Sequence, residues 1–221
     1  MMLLSDPVIA ELPFEENGDP ILDIREVPGL RLDDRLADAE GAFAGLRSGT
    51  LERLLKAQTA LPDDLRLLIV EGYRPLSLQQ RYFSEYKDEL HQRFPDWPED
   101  RLRVEASKYV SPPEVGPHCT GGAVDLTLCT IDGVELDLGT AVNDSPVDSE
   151  NACFTAASGL SDDARKNRDL LVGALSGTGL VNYPTEWWHW SFGDRYWAAS
   201  TGQAAAIYGP YAMPAAQEET R

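Results

Sequence analysis

Two of the three histidines in this chain stand in two short segments far apart in sequence. One is Gly116-Pro117-His118-Cys119-Thr120-Gly121-Gly122-Ala123-Val124-Asp125, the other Thr185-Glu186-Trp187-Trp188-His189. Each pairs an imidazole with a carboxylate. Two imidazoles and one carboxylate make a three-ligand zinc site with one position left open for water, and a fourth group, Glu186, is then free to act as a base. If both segments serve one site, the fold has to bring a mid-chain loop and a late strand together.

The spacing inside each segment is suggestive. Between His118 and Asp125 lies Thr-Gly-Gly, which allows a turn that returns the chain at close range without Cβ clashes. A loop ligand followed by a strand ligand is expected, because 123–129 alternates, with Val124, Leu126 and Leu128 on one face and Asp125 on the other. Glu186 and His189 are three apart, so an uninterrupted strand would put them on opposite faces. We therefore expect Glu186 on the loop edge just before a strand over 187–192. His91 has only helix neighbours and reads as a solvated surface residue.

The chain has 221 residues, 43% apolar and 25% charged, a composition that suits one soluble domain with a sizeable core. The net charge of -18 argues against nucleic acid or an anionic membrane as partner and for a small substrate. Residues 1–7 lack a basic stretch followed by an apolar run, and nothing approaches the length of a membrane span. A cytoplasmic protein is expected. Cys119, Cys129 and Cys153 form no C-x-x-C and read as reduced packing residues rather than ligands.

Helical spacing covers 50–60, and 65–73 is a nearly continuous apolar run that reads as a buried strand ended by Pro75. Ser77-Leu78-Gln79-Gln80 has the form of a capping box for a helix to about Phe94. Further helices are expected over 98–110 and 161–175. Asp132-Gly133 signals a hairpin into a strand over 134–138. Helices mixed with mainly antiparallel strands in this order give an α+β fold, with one domain over 1–214 and a disordered polar tail over 215–221.

At these residues the chain resembles the zinc-dependent D-alanyl-D-alanine dipeptidases, a peptidase family related in fold to DD-carboxypeptidases and to the hedgehog signalling domain. The likeness runs from about Pro20 to Phe192. It rests on Glu71-Gly72-Tyr73-Arg74-Pro75, on His118-x-x-Gly-x-Ala-x-Asp125, on Glu135-Leu136-Asp137-Leu138-Gly139-Thr140 and on Glu186-Trp187-Trp188-His189. It implies one zinc ion per chain held by His118, Asp125 and His189, with Glu186 as general base and acid and Arg74 stabilising the tetrahedral intermediate. A small dipeptide is the implied substrate.

Two positions depart from the family pattern. Gly116 replaces a serine that helps bind substrate, and Asn143 replaces the aspartate that pairs with the substrate ammonium. We expect Asp144, one residue on, to supply that charge, and Trp187 to wall the small side-chain pocket. Two other functions compete: a related carboxypeptidase or endopeptidase of peptidoglycan, and a zinc-bearing binding module without catalysis. The first would normally carry an export or wall-binding segment. The second has no need of both Glu186 and Arg74.

Overall fold

In the computed structural model, which describes residues 1–212, the chain forms α1 (Pro7–Glu11), β1 (Ile21–Asp23), β2 (Arg31–Leu32), β3 (Gly45–Arg47), α2 (Ser48–Gln58), β4 (Leu65–Glu71), α3 (Leu76–Arg93), α4 (Glu99–Ala106), β5 (Ala123–Thr130), α5 (Asp162–Ser176), β6 (Val181–Asn182), β7 (His189–Ser191) and α6 (Arg195–Thr201). The tail expected over 215–221 lies outside the described residues. Among the described residues no helix is long and apolar enough to cross a membrane.

The main sheet has the order β2-β4-β5-β7-β6. Only the β2·β4 pair is parallel, and β1 and β3 form a separate antiparallel pair. This is a single-domain α+β fold with a mainly antiparallel sheet, as the pattern predicts. β4 and β5 lie at its centre. Leu67, Ile69, Val124, Leu126 and Leu128 are fully buried there against Leu54 and Ala57 of α2 and Leu171, Ala174 and Leu175 of α5. Burying each such aliphatic side chain contributes about 1.5–3 kcal/mol, so this layer supplies the rigid frame on which the site is hung. α3 and α4 pack on each other through Phe83, Tyr86, Leu90, Leu102 and Ala106, forming a second cluster beside the sheet.

Three expectations need correction. No capping box forms at Ser77–Gln80, because α3 already begins at Leu76 with Pro75 at its N-cap and no side-chain cap. The Asp132-Gly133 turn forms, with Gly133 at φ 87 and Gly133 N–H donating to Thr130 O. The strand after it shrinks to a bridge between Cys129 and Glu135, for Ile131 and Val134 are exposed and have no layer to pack on. The late strand starts at His189, not at 187, since Trp187 and Trp188 turn into the core.

Candidate active site

The site is built on register. In the antiparallel β5·β7 pair Asp125 lies directly opposite His189, and directly opposed residues project from the same face. On the other side of β5, Ile69 pairs with Leu126, but the next pair is Glu71 with Asp125. The extra residue, Val70, makes a β-bulge, and a bulge re-aims the side chain beside it. Glu71, Asp125 and His189 thus form a row across three neighbouring strands.

His118 reaches this row from a short 3-10 turn, Pro117–Thr120, that leads into β5. Gly121 turns the chain at φ 73, and a Cβ on Gly122 would lie 2.4 Å from the Phe192 carbonyl oxygen. Only glycine allows so close an approach, as the Thr-Gly-Gly spacing suggests. The His118 ring is then fixed by its Nδ1–H, which donates to Gly72 O at 2.7 Å.

That bond leaves His118 Nε2 facing the row. It lies 3.1 Å from His189 Nδ1 and 3.3 Å from Asp125 Oδ1, and His189 Nδ1 lies 2.9 Å from the same Asp125 oxygen. All three residues are buried. Their ligand atoms lie within 4.8 Å of one another. Burial works against a charged Asp125, but the His118 and His189 rings outweigh it and hold the carboxyl well below the usual carboxylate range. Two ring nitrogens and an ionised oxygen crowded together on buried side chains form a donor set suited to a divalent cation. A backbone carbonyl on the second nitrogen of His118 is a common support for a metal-ligating histidine. These three residues could therefore hold a metal ion.

Glu186 sits where expected, in the turn before β7. Its N–H donates to Tyr183 O, and Asn182 Nδ2 donates both to Glu186 O at 2.9 Å and to His189 O at 3.0 Å, so one side chain fixes the turn that carries both residues. Its Oε2 comes within 3.9 Å of His189 Nδ1. Burial, reinforced by the Asp125 charge, pushes the Glu186 carboxyl well above its ordinary pKa despite Arg74 nearby.

Arg74 follows β4 and is gripped by Glu71, with Nε donating to Oε1 at 2.7 Å and Nη2 to Oε2. Its side chain is 11% exposed. Burial opposes its charge, yet Glu71 more than compensates and raises its pKa. Glu71, Arg74, His118, Asp125, Glu186 and His189 all line one cavity of about 360 Å³, which Tyr82, Tyr86, Tyr109 and Asn143 also line.

Two expected residues do not reach this cavity. The Asp144 carboxylate accepts the Ala141 N–H at 2.9 Å within its own turn, while Asn143, at φ 68, is the one that lines the cavity. Trp187 is 1% exposed and packs in the core, where its Nε1–H donates to Thr140 Oγ1 and its ring meets Trp188 edge-on. His91 is exposed and all three cysteines are buried and free, as read from the sequence. Sequence reasoning assigned no role to Glu71, Asn182 or Tyr109. Glu71 alone had a readable signal, a carboxylate three residues before the arginine.

Comparison with known proteins places this site in a family. The chain is 27% identical over 223 residues to a D-alanyl-D-alanine dipeptidase of Synechocystis sp., covering 85% of this chain and 87% of that protein. It is 32% identical over 126 residues to a D-alanyl-D-alanine dipeptidase of Escherichia coli, covering 57% of this chain and 54% of that one. The M15 peptidase profile described as D-Ala-D-Ala dipeptidase matches residues 47–206, a span that includes both histidine segments and Arg74. The chain is thus a hydrolase belonging to the M15 D-Ala-D-Ala dipeptidase family.

Proposed function

We propose that this protein is a zinc dipeptidase that cleaves D-alanyl-D-alanine or a similar short D-amino-acid dipeptide. The observation that carries this reading is the meeting, in one cavity, of a His-Asp-His donor set, a separate carboxylate and an anchored arginine. His118 Nε2, Asp125 Oδ1 and His189 Nδ1 would hold one zinc ion. Such an ion polarises a peptide carbonyl and brings the pKa of water down to about 7.

The chain's own groups supply the rest. Glu186 Oε2 takes a proton from the attacking water and returns it to the departing amine nitrogen, the work of a general base that becomes a general acid. Glu186 is not a ligand in this scheme, so it is free to cycle. Arg74 donates to the oxygen on which negative charge grows, and losing such a donor typically costs on the order of 3 kcal/mol of barrier. A cavity of about 360 Å³ suits a dipeptide better than a long chain. Its lining is net acidic and includes Glu85 and Glu89 of α3, which favours a substrate with a free ammonium.

A panel of LL, LD, DL and DD dipeptides, assayed with the zinc-loaded protein and after chelation, tests the reading. Hydrolysis should be confined to short peptides with D-residues, vanish on chelation and return with zinc. Cleavage of long peptidoglycan peptides in preference to free dipeptides would favour a carboxypeptidase or endopeptidase instead. No cleavage at all would favour a binding module.

A further inference from the structure

The proposed reaction asks more of Arg74 than its presence. Its guanidinium has to be held still and keep donors to spare. An arginine side chain has five N–H donors in a planar fork. Three of them are committed here: Nε and Nη2 each give one to Glu71, and Nη1 gives one to Gln79 Oε1 at 2.8 Å. One N–H on each terminal nitrogen remains for the cavity.

Gln79 is the less obvious of the two anchors. It lies in the first turn of α3 and is 0% exposed. Its Nε2 donates to Ser111 O at 2.7 Å and to Ser111 Oγ at 3.1 Å. Those two bonds fix which way the amide faces and leave its oxygen for Arg74. The carbon stem is held as well. A Cβ built on Gly116 would stand 3.2 Å from Gln79 Cγ and 3.1 Å from Cys119 Sγ, so the turn before His118 packs closely on this side chain. The Arg74 main-chain N–H in turn donates to His118 O at 3.2 Å.

Glu71 grips one edge of the guanidinium, and without Gln79 the other edge could swing. We infer that Gln79 is a positioning residue that, braced by Ser111, locks the Arg74 guanidinium so that its two uncommitted N–H groups meet the developing oxyanion. This inference rests on the role proposed above for Arg74.

The test is a double-mutant cycle in the full-length, zinc-loaded protein: wild type, Arg74→Ala, Gln79→Leu and the double variant. Each is assayed for kcat and KM on D-alanyl-D-alanine and for inhibition by a phosphinate analogue of that dipeptide, whose tetrahedral oxygens mimic the transition state. Gln79→Leu should lower kcat about 10- to 100-fold and weaken the phosphinate by a similar factor, with KM within about threefold, because a misplaced donor is lost mainly in the transition state. In the Arg74→Ala background the same change should cost no more than about twofold, the signature of residues acting through one another.

An unchanged kcat in Gln79→Leu, a loss confined to KM, or losses that multiply in the double variant would each overturn the positioning role. If Arg74→Ala itself kept wild-type kcat, the Arg74 reading would fall and the inference with it; if Arg74→Ala were crippled and Gln79→Leu were not, only the inference would fall. Should Gln79→Leu not fold, Gly116→Ala presses a methyl group on Gln79 Cγ and substitutes for it in the cycle. It should give a smaller kcat loss that again vanishes without Arg74, and additive losses would overturn the inference.

Discussion

Two parts of the cavity lining are built by opposite means. One is the sheet, where Glu71, Asp125 and His189 stand in a row across β4, β5 and β7, set by strand register and one bulge. The other is the long connection from 131 to 160, which holds no regular helix or strand and brings Asn143 to the cavity. The strands bury their backbone polar groups in ladders. The connection combines local backbone turns with side-chain donors, chiefly Arg168 of α5. Arg168 is 1% exposed and donates to Leu138 O at 2.6 Å, Phe154 O at 2.7 Å and Ala152 O at 2.8 Å, with its ring neighbour Trp187 below it. Burial pulls its pKa down to about 10, so it remains charged at neutral pH.

Under the proposed function the difference separates chemistry from recognition. The groups assigned to catalysis sit on the rigid sheet or on turns tied to it. Asn143, a candidate for substrate contact, sits on the loop side. Of the two departures from the family pattern, Asn143 lies on the loop side, whereas Gly116 lies in the turn before His118, against Gln79.

The largest expected effect strikes the rigid wall. Glu186→Ala should lower kcat by about 10²- to 10⁴-fold, the usual contribution of a positioned proton-transfer group. It should leave about one zinc per chain, since Glu186 is not among the three ligands. Kinetics and metal analysis on the same preparation check both halves. Near-wild-type turnover would remove Glu186 from the mechanism, and loss of metal would make it a ligand.

A middle-sized effect should appear on the loop wall and leave the row alone. Arg168→Met keeps the apolar stem and removes the donors, leaving three carbonyls without their cation. Hydrogen bonds to charged groups contribute about 1.5–3 kcal/mol each, and partial rearrangement of the loop should leave a net loss of roughly 3 kcal/mol. That corresponds to a melting point about 6–12 °C lower in a domain of this size. KM should rise more than kcat falls, because the displaced segment carries Asn143 and not the ligands. A kcat loss as deep as that of Glu186→Ala would show that the two walls are not independent.

The same division explains what the sequence disclosed. The long helices and the central strands carry strong periodicity, and β4, β5, α2, α3 and α5 fall within a few residues of where the pattern puts them. The ligand turn was legible because Thr-Gly-Gly has one physical use there. The bulge at Val70 was not, since an apolar run reads the same with or without an extra residue, and so the alignment of Glu71 with Asp125 could not be foreseen. Gln79 was read only as an intervening residue of a capping box formed by Ser77 and Gln80, when its amide is drawn to Arg74 and Ser111. The loop wall was the least legible part. A segment without periodicity gives no register, and aligning residues along it pointed to Asp144, whose carboxylate accepts the Ala141 N–H, while Asn143 lines the cavity.

The smallest expected effect tests that last correction. A free dipeptide brings an ammonium into the cavity, and an unpaired buried charge costs several kcal/mol, so some carboxylate has to face it. The family pattern draws attention to Asp144, but its Oδ2 caps the Ala141 N–H in its own turn, and a neutral asparagine can accept that bond equally well. Asp144→Asn should therefore keep KM for free D-alanyl-D-alanine within about threefold, consistent with the modest net value of one hydrogen bond near the surface. Titrations of free and N-acylated dipeptides against this variant decide the matter. A tenfold or greater rise in KM for the free dipeptide alone would mean that Asp144 releases Ala141 and turns inward when substrate binds. The loop wall would then be a moving part of the site, and the lining carboxylates Glu85 and Glu89 would lose their claim on the ammonium.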